Sequence, residues 1–481
     1  MNRRAVAVLV AVVVPLGLLI VAARAKPDSA ANPTFANLAA PSMPFVPHLG
    51  FLNSTWFCAG VPSTGDGLGG TVAVANTGDT PLTGHLTLFT DAEKVAPVEK
   101  DFQVPARDTY SVEITELQPK GTYVSAMVEI AGGGGFVEQR AEHAKGDAVS
   151  PCANSTSASW YFADNYTQGD SKEDIVITNP FPDDAIVDFT FAGVDGTRQP
   201  GVLQGVPVPG HSVLVVNEKS LAKDEAVYAV AVNASRGRVI AARAQAYAGE
   251  RRGYSLGLGA PSASAAWYFT GGVKDGTNFE RFSIYNPGDH DAQVQPVFYG
   301  VSSDTFSNQI PEITVPAGRV ASFSLTDVPD LPLGRHGITF SSMTGQPIVV
   351  EMAVTKKDEG TSVTSVVLGV EQYFADPGYF QWSMVFGPES AADQAIVILN
   401  LAFADTTVAV KALGPGGVVA IPGLEAVKVP AGGLATINIP QVAAAVGHPL
   451  LVVADQPIIV QRLLPRGHNL SGRSASLALP G

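Results

Sequence analysis

Gly253-Tyr254-Ser255-Leu256-Gly257 has the G-x-S-x-G spacing of a hydrolytic nucleophile. Such an elbow works on a strand-to-helix turn that lifts the serine hydroxyl above a parallel sheet, with an acid and a histidine following. The serine here is followed by Leu256-Gly257-Leu258-Gly259-Ala260-Pro261, whose glycines and proline do not support a helix. The downstream histidines His290 and His336 fall in a different repeat of the chain. The pentapeptide therefore reads as a strand end, and no catalytic residue is assigned.

Metal chemistry is equally sparse. The eight histidines, His48, His85, His143, His211, His290, His336, His448 and His468, are all more than four residues apart, so zinc-ligand spacings are absent. Asp164, Asp170, Glu173 and Asp174 crowd one loop, and Asp66, Asp275 and Asn278 occupy comparable places elsewhere. Calcium takes oxygen ligands from such loops, but the D-x-D-x-D-G order is missing, and these side chains read as solvated turn residues. No metal or cofactor is expected. The glycine loops at 65–70 and 132–135 lack a following Lys-Ser or helix, which makes them hairpin loops and not phosphate cradles.

The remaining candidates are aromatic. Trp56, Trp160, Trp267 and Trp382 are the only tryptophans, and exposed ones could stack on sugar faces. Their spacing favours a core plug, one per repeat. The intervals are 104 to 115 residues. An asparagine ending an apolar run follows each tryptophan by 20, 19, 19 and 18 residues, at Asn76, Asn179, Asn286 and Asn400. A Val-Pro pair follows by 48, 48, 48 and 47 residues, at Val104, Val208, Val315 and Val429. A late apolar strand closes each repeat: 136–140, 239–243, 348–352 and 458–462.

Within a repeat about seven short β-branched runs alternate with turns such as Asn179-Pro180-Phe181-Pro182 and Asp195-Gly196. That pattern predicts an all-β fold of tandem immunoglobulin- or fibronectin-like sandwiches. Propeller blades are too short for this period, and the amphipathic helices of an α/β fold are missing; the best helical candidate is 220–225. The expected repeats are 51–155, 156–260, 261–370 and 371–481. Tyr373-Phe374-Ala375-Asp376 copies Tyr161-Phe162-Ala163-Asp164, so the fourth repeat could instead begin at Gln372, with Trp382 in an insertion.

Composition agrees with an exported β protein: 46% hydrophobic and 15% charged residues with 49 glycines among 481 is too apolar for disorder. A net charge of −14 repels phosphate backbones, so nucleic acid is not an expected partner. Arg3 and Arg4 precede an uncharged run, Ala5 to Ala23, whose 19 residues reach about 28 Å as a helix and match a bilayer core. Residues 1–26 are therefore expected to be a signal anchor in the cytoplasmic membrane with the body outside; cleavage after Ala25, at Ala23-Arg24-Ala25, is the competing outcome and would release it. Residues 27–50, with five prolines, read as a tether.

Cys58 and Cys152 are the only cysteines and bracket the first repeat. In an oxidising compartment they most simply form a disulfide; buried thiols are the alternative, and a redox pair would want the C-x-x-C spacing they lack.

The anchor, the tether, Trp56-Phe57-Cys58 with Ser150-Pro151-Cys152, and Trp160-Tyr161-Phe162-Ala163 leading to Asn179-Pro180 together resemble an actinobacterial family of large exported proteins classed as a domain of unknown function, number 5719. The resemblance implies no activity or catalytic residue. The expectation is a non-catalytic, membrane-anchored cell-envelope scaffold that binds or spaces, with a protein or glycan of the envelope as partner. The alternatives are a cell-wall glycan-binding protein and, more remotely, an envelope hydrolase.

Overall fold

The computed structural model describes residues 43–217, 225–301, 306–358, 361–375, 378–388, 395–414, 417–438, 446–467 and 473–481. The expected anchor, residues 27–42 of the tether and residues 220–224 of the helical candidate lie outside them. Among the described residues the protein is nearly all β, and no helix is long and apolar enough to cross a membrane.

The first repeat sets the pattern. Its strands are Asn53–Pro62, Gly67–Asn76, Leu82–Thr90, Val98–Val104, Thr109–Glu113, Tyr123–Ala131, Gly135–His143 and Ala148–Pro151. The first, sixth, third and fourth form one antiparallel sheet in that order; the fifth, second, seventh and eighth form the other. Side chains alternate across each strand, so one face of each sheet is apolar and the two faces close on each other. In the second repeat Val187, Phe189 and Phe191 point inward from Ala185–Ala192 and meet Ile175, Ile177 and Trp160 in one core.

The sandwich reading holds at this coarse level, but the strand order is not that of an immunoglobulin domain. There the sixth and seventh strands pair. Here the seventh pairs with the second, and the sixth runs between the first and third. The exchange lets the seventh strand carry an eighth beyond it on the inner sheet.

The sequence landmarks have structural jobs. Each tryptophan is buried, and Trp160, Trp267 and Trp382 donate from Nε1 to the carbonyls of Val239, Ile348 and Ile458, all at the start of the closing strand. Trp382 thus occupies the same place as Trp160, and Gln372–Ala375 is a single helical turn ahead of it. Each landmark asparagine is also buried. Asn179 Nδ2 donates to Asp183 O and Val208 O, and its Oδ1 accepts from Phe181 N; Asn76, Asn286 and Asn400 make the corresponding bonds. The residue ties the turn to the Val-Pro strand, which explains its fixed interval.

The repeats do not stand apart in series. Residues 42–481 form one compact body. Ala148–Pro151 lies against Arg251–Leu258, which pairs in parallel with Thr361–Leu368; that strand lies against Arg473–Leu477, which returns to Ala148–Pro151. These four axial strands close a ring, and the second and third repeats share one eight-stranded sheet.

The start of the body also differs from expectation. Met43–Pro47 is largely buried, not part of a free tether: Val46 N donates to Pro480 O, and Asn154 Nδ2 donates to Phe45 O.

Candidate functional site

Ring closure concentrates charge where the sequence suggested only apolar strands. In the first three repeats the opening strand slips register just past its tryptophan, between Cys58 and Val61, Phe162 and Asn165, and Phe269 and Gly272; in the fourth the strand ends at Met384. The N–H four residues after each tryptophan leaves the ladder. A buried N–H without an acceptor is costly, so something must meet it.

Closing strands supply the acceptors, mostly from the next repeat. Asp164 N donates to Glu351 of the third repeat, Gly271 N to Gln461 of the fourth, and Phe386 N to Glu138 of the first. In the second repeat the same strand position is Ala242, and Gly60 N is met by Gln139 of its own repeat.

The position one residue further along completes the seams. It holds Gln139, Arg243, Met352 and Arg462 in repeats one to four. Arg243 forks onto Glu351 at 2.8 and 3.0 Å and donates to Asp164 O at 2.6 Å, and Arg462 pairs with Glu138 and donates to Phe386 O at 3.0 Å. Two seams, second to third and fourth to first, thus carry buried Arg–Glu pairs; at the other two these closing-strand positions are uncharged. Burial alone would lower the Arg243 pKa, but Glu351 outweighs it and raises it.

Seam two–three gathers more charge. Asp164 accepts from Arg281 and Ser283 on the third repeat. Glu173 accepts from Tyr166 N and from the Tyr228 hydroxyl. Three of the four loop acids read as solvated turn residues are therefore buried, Asp164, Glu173 and Asp174 being 1%, 0% and 3% exposed, whereas Asp170 is exposed as expected. The sequence could not reveal this, because Glu173 reaches Tyr228 on the other sheet and Asp164 and Asp174 have partners on other repeats, Asp174 accepting from the Tyr123 hydroxyl of the first. Glu280 of the third repeat copies Glu173, accepting from Val273 N and contacting His336 at 3.0 Å. In the first repeat the N–H donor is replaced by Pro62 and the acid by Gly70, so neither partner is needed.

Burial pushes the Glu173 carboxyl from 4.5 up to about 8. The folded protein keeps this proton to higher pH than the unfolded chain, so its contribution to stability is complete below about pH 4.5 and is lost as pH rises to about 8. Glu173→Gln keeps an acceptor for Tyr166 N and cannot ionise. The variant is expected to show a smaller fall in melting temperature between pH 5 and about 8.5 than the parent, at about 1.4 kcal/mol per unit of pKa shift removed. Parallel slopes would mean that Glu173 titrates normally.

The other sequence candidates do not converge. Ser255 lies within a strand, and its Oγ accepts from Val366 N. His290 sits in an exposed turn beside Asp289, whereas His336 is buried against Glu280. Asp275 caps its own turn: burial, which would raise its pKa, is outweighed by the N–H groups of Asn278 and Thr277, and the pKa is lowered. Among the described residues no three His, Cys, Asp or Glu side chains are placed to hold a metal. The four tryptophans are 0–1% exposed and present no face for a sugar. Cys58 and Cys152 form the disulfide.

The axis itself holds a cavity of about 70 Å³, walled by all four axial strands, with Arg243 and Glu351 at its edge and Met43 and Pro44 across it. Small-molecule pockets run to about 300–1,000 Å³, so the space fits none of ordinary size. Further along the axis Arg466 is 1% exposed; burial lowers its pKa to about 10, and its Nη1 reaches Tyr254 O at 3.5 Å.

A closed ring of two-sheet β repeats sewn by buried polar seams is the class this fold and site define. Residues 134–375, half of the chain and the part that contains the two–three seam, match a family of unknown function (DUF5719), and the chain belongs to that family. No curated protein matches it. Among solved structures, Thermotoga maritima 1070 is 16% identical over 23% of this chain and 97% of its own, with a TM-score of 0.21. The Anabaena sensory rhodopsin transducer is 24% identical over 18% of this chain and 85% of its own, with a TM-score of 0.15. A tetra-tandem repeat from the extending region of a large adhesion protein is 12% identical over 84% of this chain and 93% of its own, with a TM-score of 0.10.

Proposed function

We propose that the protein is a non-catalytic scaffold of the cell envelope, anchored in the cytoplasmic membrane through residues 5–23 with its body outside. The observation that carries this reading is the ring: the strongest buried chemistry is spent on joining repeats, with Glu138, Glu351 and Gln461 occupied by backbone N–H groups of a neighbouring repeat. A body so joined unfolds and moves as one piece, as a spacer or a multi-sided binding platform must. The disulfide suits an oxidising compartment outside the cytoplasm.

The full chain expressed in its host is expected to sediment with membranes and to resist alkaline extraction. Replacing Val12 and Leu18 by lysine should release it, since a lysine near the centre of such a span costs about 2.5–3.5 kcal/mol. A mature protein that begins at Lys26 and is soluble would overturn the anchor.

A further inference from the structure

The second-to-third and third-to-fourth seams use the same positions but fill them differently. At the first of them the rings of Tyr166 and Tyr247 lie 5.5 Å apart and pack with Ala353 and Val366 in a small apolar cluster, beside the Arg281–Asp164 pair. Each of these residues has a counterpart one repeat further on. Counted from the tryptophan, Asp164 and Tyr166 become Gly271 and Val273. Counted along the closing and axial strands, Tyr247, Ala353 and Val366 become Lys356, Leu463 and Ala475. Arg281, five residues before its landmark asparagine, becomes Ala395. Two rings and an ion pair are thus exchanged for smaller groups and one lysine. The consequence is a cleft of about 250 Å³, whose lining includes all four of Val273, Lys356, Leu463 and Ala475 as well as Arg335 and Asp275. His143, the first repeat's residue at the Lys356 position, is covered by the Tyr254 ring at 4.1 Å. Lys356 has neither a ring over it nor an ion pair among the described residues.

We infer that this cleft binds a small organic acid, a carboxylate attached to one ring-sized apolar group. The apolar part takes the place that the tyrosine rings hold at the neighbouring seam, against Leu463 and Ala475 where the rings pack on Ala353 and Val366. The carboxylate answers the charge. Arg335 and Lys356 bring two cations to the lining and Asp275 one anion, and the Asp275 carboxylate is already held by Thr277 N, Asn278 N and Asn278 Nδ2. A single excess positive charge matches a monoanion and not a phosphate, which carries close to two negative charges. The volume falls just short of the about 300–1,000 Å³ of ordinary small-molecule pockets, which limits the ligand to about one ring. Both repeats wall the cleft, so an occupant ties the third to the fourth at a seam whose closing-strand positions, Met352 and Gln461, are uncharged. Such a site belongs to the body alone and does not depend on the proposed anchor.

Benzoate is the probe, titrated into the purified full chain by calorimetry, with benzyl alcohol, benzylamine and inorganic phosphate beside it. Benzoate is expected to bind one to one at millimolar concentration and to raise the melting temperature as it does so. The other three should bind several-fold more weakly. Two variants separate charge from shape. Lys356→Met keeps the cleft and should weaken benzoate about tenfold, as loss of a hydrogen bond to a charged group does, while leaving benzyl alcohol unchanged. Val273→Tyr with Lys356→Tyr copies the second-to-third seam, so it should fill the cleft, keep or raise the melting temperature, and abolish binding. If that double variant melts early, Lys356→Met alone decides. Absence of saturable benzoate binding to the parent overturns the inference, and so does binding that survives unchanged in either variant. Equal binding of benzoate and benzyl alcohol by the parent would overturn it as well, because the cations would then play no part.

Discussion

Arg243→Met is expected to destabilise the body by about 3–5 kcal/mol, because it leaves the Glu351 carboxylate buried without its cation. Arg243 and Glu351 side chains are 5% and 2% exposed, and the guanidinium also satisfies Asp164 O. The compensating change is written elsewhere in the same ring. At the three–four seam the equivalent positions are Met352 and Gln461, and Gln461 still accepts the N–H that leaves the ladder. Arg243→Met with Glu351→Gln copies that neutral seam and should recover most of the loss. Urea unfolding of parent, both single variants and the double variant gives the coupling directly. A single Arg243→Met variant as stable as the parent would mean that the pair is solvated or unformed. Arg462→Met with Glu138→Gln should behave in the same way at the four–one seam.

Periodic features could be read from the chain because the same local job recurs four times. Tryptophan, asparagine and Val-Pro keep their intervals since each makes contacts within its own repeat: Trp160 to Val239, Asn179 to Val208. The seams were not legible for the opposite reason. Glu138, Arg243, Glu351 and Arg462 stand in the closing strands, and a charged side chain inside such a run is a signal that it needs a buried partner. That partner lies 108 residues away for Arg243 and 324 for Arg462, across a contact that no local pattern encodes. The ring was hidden as well, since axial strands of four to eight residues look like any edge strand. Even so, the alternation of charged and neutral residues at two adjacent positions follows from aligning the closing strands, and an Arg in one repeat with a Glu in the next is what a cyclic arrangement would pair.

Loss of the disulfide is the other large effect to expect, and the repeats again supply the control. Cys58–Cys152 closes a loop with a sequence separation of 94, and removing such a link by Cys58→Ser with Cys152→Ser should cost about 4–5 kcal/mol in the loop-closure account. The bond sits beside the Phe57–Ala153 bridge that returns the first repeat onto its opening strand. In the second and third repeats the same two positions are Phe162 with Gly259 and Phe269 with Gly369, where each ring lies so close over its glycine that an added Cβ would stand 2.8 or 2.7 Å from it. A packed Phe-Gly pair thus does by contact what the first repeat does covalently. Cys58→Phe with Cys152→Gly should therefore restore the packing lost in the double serine variant without restoring the entropic constraint, and its melting temperature should fall between the other two. Adding a reductant lowers the melting temperature of the parent and leaves the Phe-Gly variant unchanged. If the parent is equally indifferent to reductant, or if a thiol reagent labels it before reduction, the link does not hold the first repeat closed.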